Sequence, residues 1–200
     1  ASKKIRFEGN GYGKEWEIEA KKRGLSNNKT TPEALKAKIS KKTIDLYEEM
    51  EVMSKIEVEA RHEIRLEEYI LRIQIEGRVL GDIARNHIIP TAIKYQNTLI
   101  ENVSGLKNIF GNGFEKHAKE QIDLITKISM HIAEINTKVE AMIEERKKAN
   151  QLHGQIAADA YCNLVKPFFE EIRYHCDKLE LMVDDELWPL AKYRELLFTR

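Results

Sequence analysis

Arg61-His62-Glu63-Ile64-Arg65-Leu66-Glu67-Glu68-Tyr69, running on through Ile73-Gln74-Ile75-Glu76 and Asp82 to Ile88-Ile89-Pro90, is the stretch whose reading decides the fold. In and just before it, apolar residues fall at Ile56, Ala60, Ile64, Leu71, Ile75, Val79 and Ile83, mostly four apart. That period belongs to a long amphipathic helix rather than a strand. Upstream, Ser54-Lys55-Ile56-Glu57 has the form of a capping box, the serine bonding forward and the glutamate reaching back. Continuous to Ile89, the helix would extend roughly 50 Å. Pro90 lacks a backbone donor and disfavours helical geometry before it, so a kink or break is expected there.

Beyond Pro90 the helical pattern resumes with Ile93, Leu99, Ile100 and Val103, then dissolves at Gly105 and at Gly111-Asn112-Gly113, the expected hairpin turn. From Phe114 to about Gln151, Ile125, Ile128, Ile132, Ile135, Val139 and Met142 step by threes and fours, the rhythm of a coiled-coil-like seam. Such a seam reads as intramolecular core before it reads as a partner-binding face. A last helix is expected from about Gln155 to Leu187, with Ile156, Ala160, Leu164, Phe168, Ile172, Leu179 and Val183 on one side. Pro167 should bend it near Asn163 to Lys166. Trp188-Pro189 ends it, and Tyr193 to Phe198 forms an apolar tail in need of a docking surface.

The N-terminal quarter is shorter in its rhythms. Lys3 to Phe7 suggests an extended segment, followed by the turn Gly9-Asn10-Gly11-Tyr12-Gly13. A helix from Lys14 to Arg23 should stop at a left-handed Gly24. Thr31-Pro32 reads as N-cap and first helical residue of another helix. That helix carries Ala34, Leu35 and Ile39 and hands over to one more, ending near Met50. The fold expected is all-α: an antiparallel bundle of three long helices, kinked near Pro90 and Pro167, with short N-terminal helices. The expected divisions are 1–53 (extended segment and short helices), 54–187 (bundle) and 188–200 (a tail docking on the bundle).

Whole-chain properties narrow the function classes. Two hundred residues can enclose a core without disulfides. Lysine and arginine number 33, as do aspartate and glutamate, so no global field draws the chain to nucleic acid or an anionic membrane. No apolar run approaches the roughly 18 residues of a membrane span, and the opening residues do not read as a signal peptide. Cys162 and Cys176 would sit roughly 21 Å apart on one helix, beyond disulfide reach. They read as thiols of a reducing compartment, and cytoplasm is the expectation.

Each candidate for chemistry has a missing part. Gly9 to Lys14 is one residue short of a phosphate loop, and Glu15 stands where a hydroxyl is needed. Only Glu59 and His62 have the Glu-x-x-His spacing of a carboxylate-bridged metal bundle, which is half a site. His62-Glu63 opens like a zinc-protease signature, but Leu66 replaces the second histidine. His175 and Cys176 are adjacent on a helix and do not face each other, so Cys176 reads as buried and His175 as a surface or hydrogen-bonded residue. Lys21-Lys22-Arg23 and Arg146-Lys147-Lys148 lie near helix C-termini, where basic residues are expected in any case. No catalytic, cofactor-binding or metal residue is assigned.

Three blocks of sequence are similar to type III glutamine synthetases. The first is Phe7, Gly9-Asn10-Gly11-Tyr12, Trp16, Glu19-Ala20, Lys22-Arg23-Gly24-Leu25, Asn27, and Lys29-Thr30-Thr31-Pro32 with Ala34-Leu35. The second is the Arg61 to Pro90 stretch. The third is Trp188-Pro189, Tyr193 and Leu196-Leu197-Phe198. From Lys94 to Leu187 the match is mainly helical character, with departures such as Pro167. The chain thus resembles the C-terminal region of that family, whose members join ammonia to glutamate through a γ-glutamyl phosphate, using ATP and magnesium or manganese. The resemblance implies an excised C-terminal domain with Ala1-Ser2 a vector remnant, inactive alone and without cofactors of its own. It also implies a structural or assembly role. The expected partners are its own catalytic domain and homo-oligomer subunits in two stacked hexameric rings, with neither nucleic acid nor membrane. A stand-alone helical interaction or scaffold protein is the alternative, and a metal-binding bundle a weaker third.

Overall fold

The structure is a computed structural model that describes residues 6–198. These are all-helical, and no strand occurs among them. Most of the expected extended segment, Lys3 to Ile5, lies outside the described residues. Contacts divide the chain at Leu66 into two compact units, with the boundary inside one long helix.

The first unit holds α1 (Lys14–Lys22), α2 (Thr31–Lys38), α3 (Lys41–Glu49) and the opening turns of α4 (Lys55–Ile83). Gly9 to Gly13 form a tight turn in which Gly13 N–H donates to Asn10 O at 2.9 Å and Tyr12 N–H to Asn10 Oδ1 at 3.0 Å. Gly24 takes φ 71°, as expected of a residue closing α1. Leu25 N–H bonds back to Ala20 O and Gly24 N–H to Lys21 O, which satisfies carbonyls the helix would leave open. The cap of α2 sits one residue earlier than the sequence suggested. Thr30, not Thr31, makes the reciprocal box with Glu33, because glutamate three positions on can return the bond. Ser54 and Glu57 form the expected box, with Ser54 N–H donating to Glu57 Oε2 at 2.8 Å. The interior is small: Ala20, Pro32, Leu35, Val58, His62 and Leu66 are buried, and no residue of α3 is.

The second unit contains the rest of α4, α5 (Ile89–Phe110), α6 (Glu115–Ala149), α7 (Gly154–Ala160), α8 (Pro167–Glu180) and α9 (Tyr193–Leu197). Neither Pro90 nor Pro167 ends its helix. Each is preceded by a π-helical turn, Ala84–Ile88 and Tyr161–Val165 respectively. Ile89 N–H reaches Ala84 O and Lys166 N–H reaches Tyr161 O, both five residues back. The wider turn makes room for a proline ring and for the carbonyl left without its donor. The helix also runs through Gly105 to Phe110 before Gly111–Gly113 turns the chain, Gly111 at φ 57°.

Cross-helix bonds fix the directions of the long elements. Gln74 donates to Asn150 Oδ1 at 2.8 Å, Arg85 to Asn136 O at 3.3 Å and Gln96 to Ile125 O at 3.0 Å, so α6 descends as α4 and α5 ascend. Between α6 and α8, Lys138 pairs with Glu171 at 2.6 Å and His131 meets His175. The α6 seam lies inside: Ile128, Ile135, Val139 and Met142 are buried, with Ile125 and Ile132 half-buried. Tyr161, Val165, Ile172, Cys176, Leu179, Val183 and Trp188 join them in one core.

Two apolar stripes are placed differently from the reading above. In α4, Ile56, Ile64, Leu71, Ile75 and Val79 are exposed, each by half or more, while Val58, His62, Leu66 and Ile73 are buried. In the last helical stretch Ile156 and Leu164 are exposed, and Ala157, Ala158, Tyr161 and Val165 take the core. Residues strictly four apart advance about 40° per step, and the π-helical turn at Tyr161–Val165 shifts the register within the run, so Ile156 and Leu164 face out while Ala160, Phe168 and Ile172 stay with the core. The final helix stops at Glu180, short of Leu187.

Candidate interaction surface

The second unit's part of α4 has two apolar faces. One presents Ile73, Leu80 and the bare backbone of Gly77 to the core, close enough that a Cβ on Gly77 would lie 3.3 Å from Phe169. The other carries Leu71, Ile75 and Val79, exposed by 56%, 53% and 50%, between the charges of Arg72, Glu76, Arg78 and Asp82. A helix apolar on both sides is expected to be covered on both, and contiguous exposed aliphatics mark interaction sites. The first unit's turns of α4 expose Ile56 and Ile64 in the same manner.

At the C-terminal end Trp188 is buried in the core, whereas Leu196, Leu197 and Phe198 are exposed. Polar bonds hold the approach. Lys192 Nζ donates to Glu180 O at 3.0 Å and pairs with Asp185, which also takes Arg194 at 2.6 Å. The Lys192 and Arg194 hydrogen bonds hold the Asp185 carboxyl below its usual range.

The sequence profile described as Glutamine synthetase C-terminal domain matches residues 1–107. The chain belongs to that family. Along its whole length it is 44% identical to a glutamine synthetase of Bacteroides fragilis (strain YCH46), covering 28% of that protein. It is 33% identical over 98% of its length to a type-3 glutamine synthetase of Dictyostelium discoideum, covering 27% of it. A glutamine synthetase of Butyrivibrio fibrisolvens is 28% identical, again with 28% covered. The chain therefore spans about 28% of the length of the curated relatives it matches.

In this member of the glutamine synthetase C-terminal domain family, the residues behind the resemblance serve as punctuation and core. Gly24-Leu25 closes α1, Thr30 and Pro32 open α2, and Trp188 is buried. The chemistry candidates stay apart. Glu59 is exposed and pairs with Lys55 at 3.7 Å, while His62 is buried with an unpartnered Nδ1. Among the described residues no group of three or more histidine, cysteine or acidic side chains could hold a metal ion. Cys162 and Cys176 are both free, and burial pushes the Cys176 thiol up to about 11, far from a reactive thiolate. Lys21 and Lys22 occupy the last turn of α1, and Arg146, Lys147 and Lys148 the last turn of α6. No helix among the described residues is long and apolar enough to cross a membrane.

Two features escaped the sequence reading. His131 and His175, 44 residues apart, bring their Nδ1 atoms within 2.8 Å across α6 and α8. Gln74, Asn150 and Tyr161 form a second junction, with Gln74 donating to Tyr161 Oη at 2.9 Å and Tyr161 donating to Asn150. Neither has a local sequence signal, since each depends on how separate helices align.

Proposed function

We propose that this chain is the C-terminal helical domain of a type III glutamine synthetase, a glutamate–ammonia ligase dependent on ATP and magnesium or manganese. Its role there is structural: an antiparallel bundle of three long helices over residues 54–187, preceded by the short helices of 1–53 and followed by a tail, 188–200, that docks through Trp188. The opposed directions of the cross-helix bonds support the bundle, and the buried Trp188 supports the docking. The partners are the catalytic region of the same polypeptide and further subunits, arranged as two stacked hexameric rings in the cytoplasm. Catalytic residues and cofactors belong to the rest of that polypeptide, because this sequence carries no phosphate loop or metal-ligand set.

The observation that carries the structural role is the exposed Leu71-Ile75-Val79 face of α4. Assembly would cover it. Leu71→Asp with Ile75→Asp in the full-length enzyme is expected to shift the assembled species to smaller ones in analytical ultracentrifugation. Unchanged assembly would remove this face from the role. The alternative, a stand-alone scaffold, is separated from this reading by the natural reading frame, which should place a glutamine synthetase catalytic region upstream of Lys3.

A further inference from the structure

A cleft of about 250 Å³ opens between α4 and α6, next to the first π-helical turn. Three guanidinium groups line it: Arg78 from α4, Arg85 from the π turn and Arg146 from α6. We propose that this cleft binds a small, doubly charged oxyanion, a phosphate group or a dicarboxylate, between these three arginines.

The charge balance is the first argument. Asp82 is the single carboxylate in the lining, and it accepts from Asn86. Arg85 is held from behind, its Nη2 donating to Glu140 at 3.1 Å and to Asn136 O at 3.3 Å, while its Nε is buried with no partner. Arg78 and Arg146 have no ion-pair partner among the described residues. The carboxylates beside Arg146 in sequence are taken, Glu144 by Lys147 at 2.7 Å and Glu145 by Lys148 at 2.6 Å. Both free guanidinium groups line the same cleft. Burial raises the Tyr161 hydroxyl's pKa, and opposing that shift are the Gln74 hydrogen bond and the charges of Arg146 and Arg78. Cations held together without counter-charge are favoured by an anion, and planar guanidinium groups bond its oxygens in pairs.

The second argument is the floor. Gly77 and Gly81, one helical turn apart, leave α4 bare opposite Val139 and Met142. At Gly77 a Cβ would crowd Phe169 at 3.3 Å, so packing favours glycine there. At Gly81 it does not: a Cβ would meet Val139 and Met142 at 3.5 and 3.6 Å, ordinary contact distances. Glycine weakens a helix interior relative to alanine. Its presence at Gly81 is therefore unexplained by packing and is explained by a cleft kept open. The volume suits a compact anion and is below that of drug-sized ligand sites.

The test is a titration of the 200-residue chain with inorganic phosphate at constant ionic strength, read on arginine Nε–Hε resonances by NMR. Saturable shifts at Arg78 and Arg146 are expected. Arg78→Gln and Arg146→Gln, with wild-type circular dichroism, should each weaken binding at least tenfold, and Lys147→Gln should leave it within about twofold. A parallel succinate titration identifies the source, the tighter of the two naming the ligand class. Gly81→Ala is expected to raise the melting temperature and weaken binding together. Linear shifts with both anions, an equal response to chloride, equal loss in Lys147→Gln, or undiminished binding in Gly81→Ala would each overturn the proposal.

Discussion

His131 and His175 make one hydrogen bond between two Nδ1 atoms, so one ring must donate and the other accept. The accepting ring has to be neutral there. Burial lowers the His131 pKa first, the charges of His175 and Lys178 add to that, and Glu134 opposes them. The unfolded chain therefore takes up the proton before the folded one does. Stability from this residue is complete above about pH 6.5 and is lost as pH falls from there toward the folded value. Urea midpoints measured at pH 7.5 and pH 5.5 should drop at the lower pH, and His131→Gln should flatten the drop. An undiminished drop in the variant would place the effect elsewhere. Also at this scale, Ser54→Ala removes a cap and is expected to cost about 0.5–2 kcal/mol in a denaturant melt.

Single helices show what was legible in the sequence and what was not. The α6 seam was legible because its apolar residues step by alternating threes and fours, which holds one face inward: Ile128, Ile135 and Val139 are fully buried. The existence of α4 was equally plain, but its inward face was not. That face carries His62, Tyr69 and Gly77, so it looks less apolar than the aliphatic row on the opposite side. Hydrophobic periodicity cannot separate a face turned to the core from one offered to a partner outside the chain. The arginine cleft was illegible for another reason, since Arg78, Arg85 and Arg146 are joined only by the antiparallel alignment of α4 and α6. Ile135→Ala should cost about 2–5 kcal/mol in a denaturant melt. Ile75→Ala in the same 200-residue chain should stay within about 0.5 kcal/mol, because its side chain is half in water. Equal losses at the two positions would contradict the assignment of faces.

Over the whole molecule, apolar surface is unevenly distributed. The second unit has a continuous core from Ile73 to Trp188, whereas the first has a handful of buried residues and exposes Leu25, Leu46, Met50, Val52 and Ile56. Such a division favours a first unit that opens at lower denaturant than the second. Amide exchange should be fast across α1 to α3 and slow along α6. Uniform protection would argue against it. The isolated chain should also release no phosphate above blank in a biosynthetic assay with ATP, magnesium, glutamate and ammonia, and measurable turnover would place catalytic groups within it.

The two π-helical turns also bear on how this chain tolerates changes of length. A π turn accommodates one more residue than an α turn, so removing a residue within 84–88 or 161–165 lets the helix revert with its flanking faces aligned only if the following proline is replaced as well; with Pro90 or Pro167 kept, its ring meets the carbonyl four residues back. Removing one anywhere else in a long helix rotates every later side chain by about 100° and turns core residues to water. Each π turn and the proline just beyond it are thus one unit, in which a change of length and a change of the proline are tolerated together rather than singly.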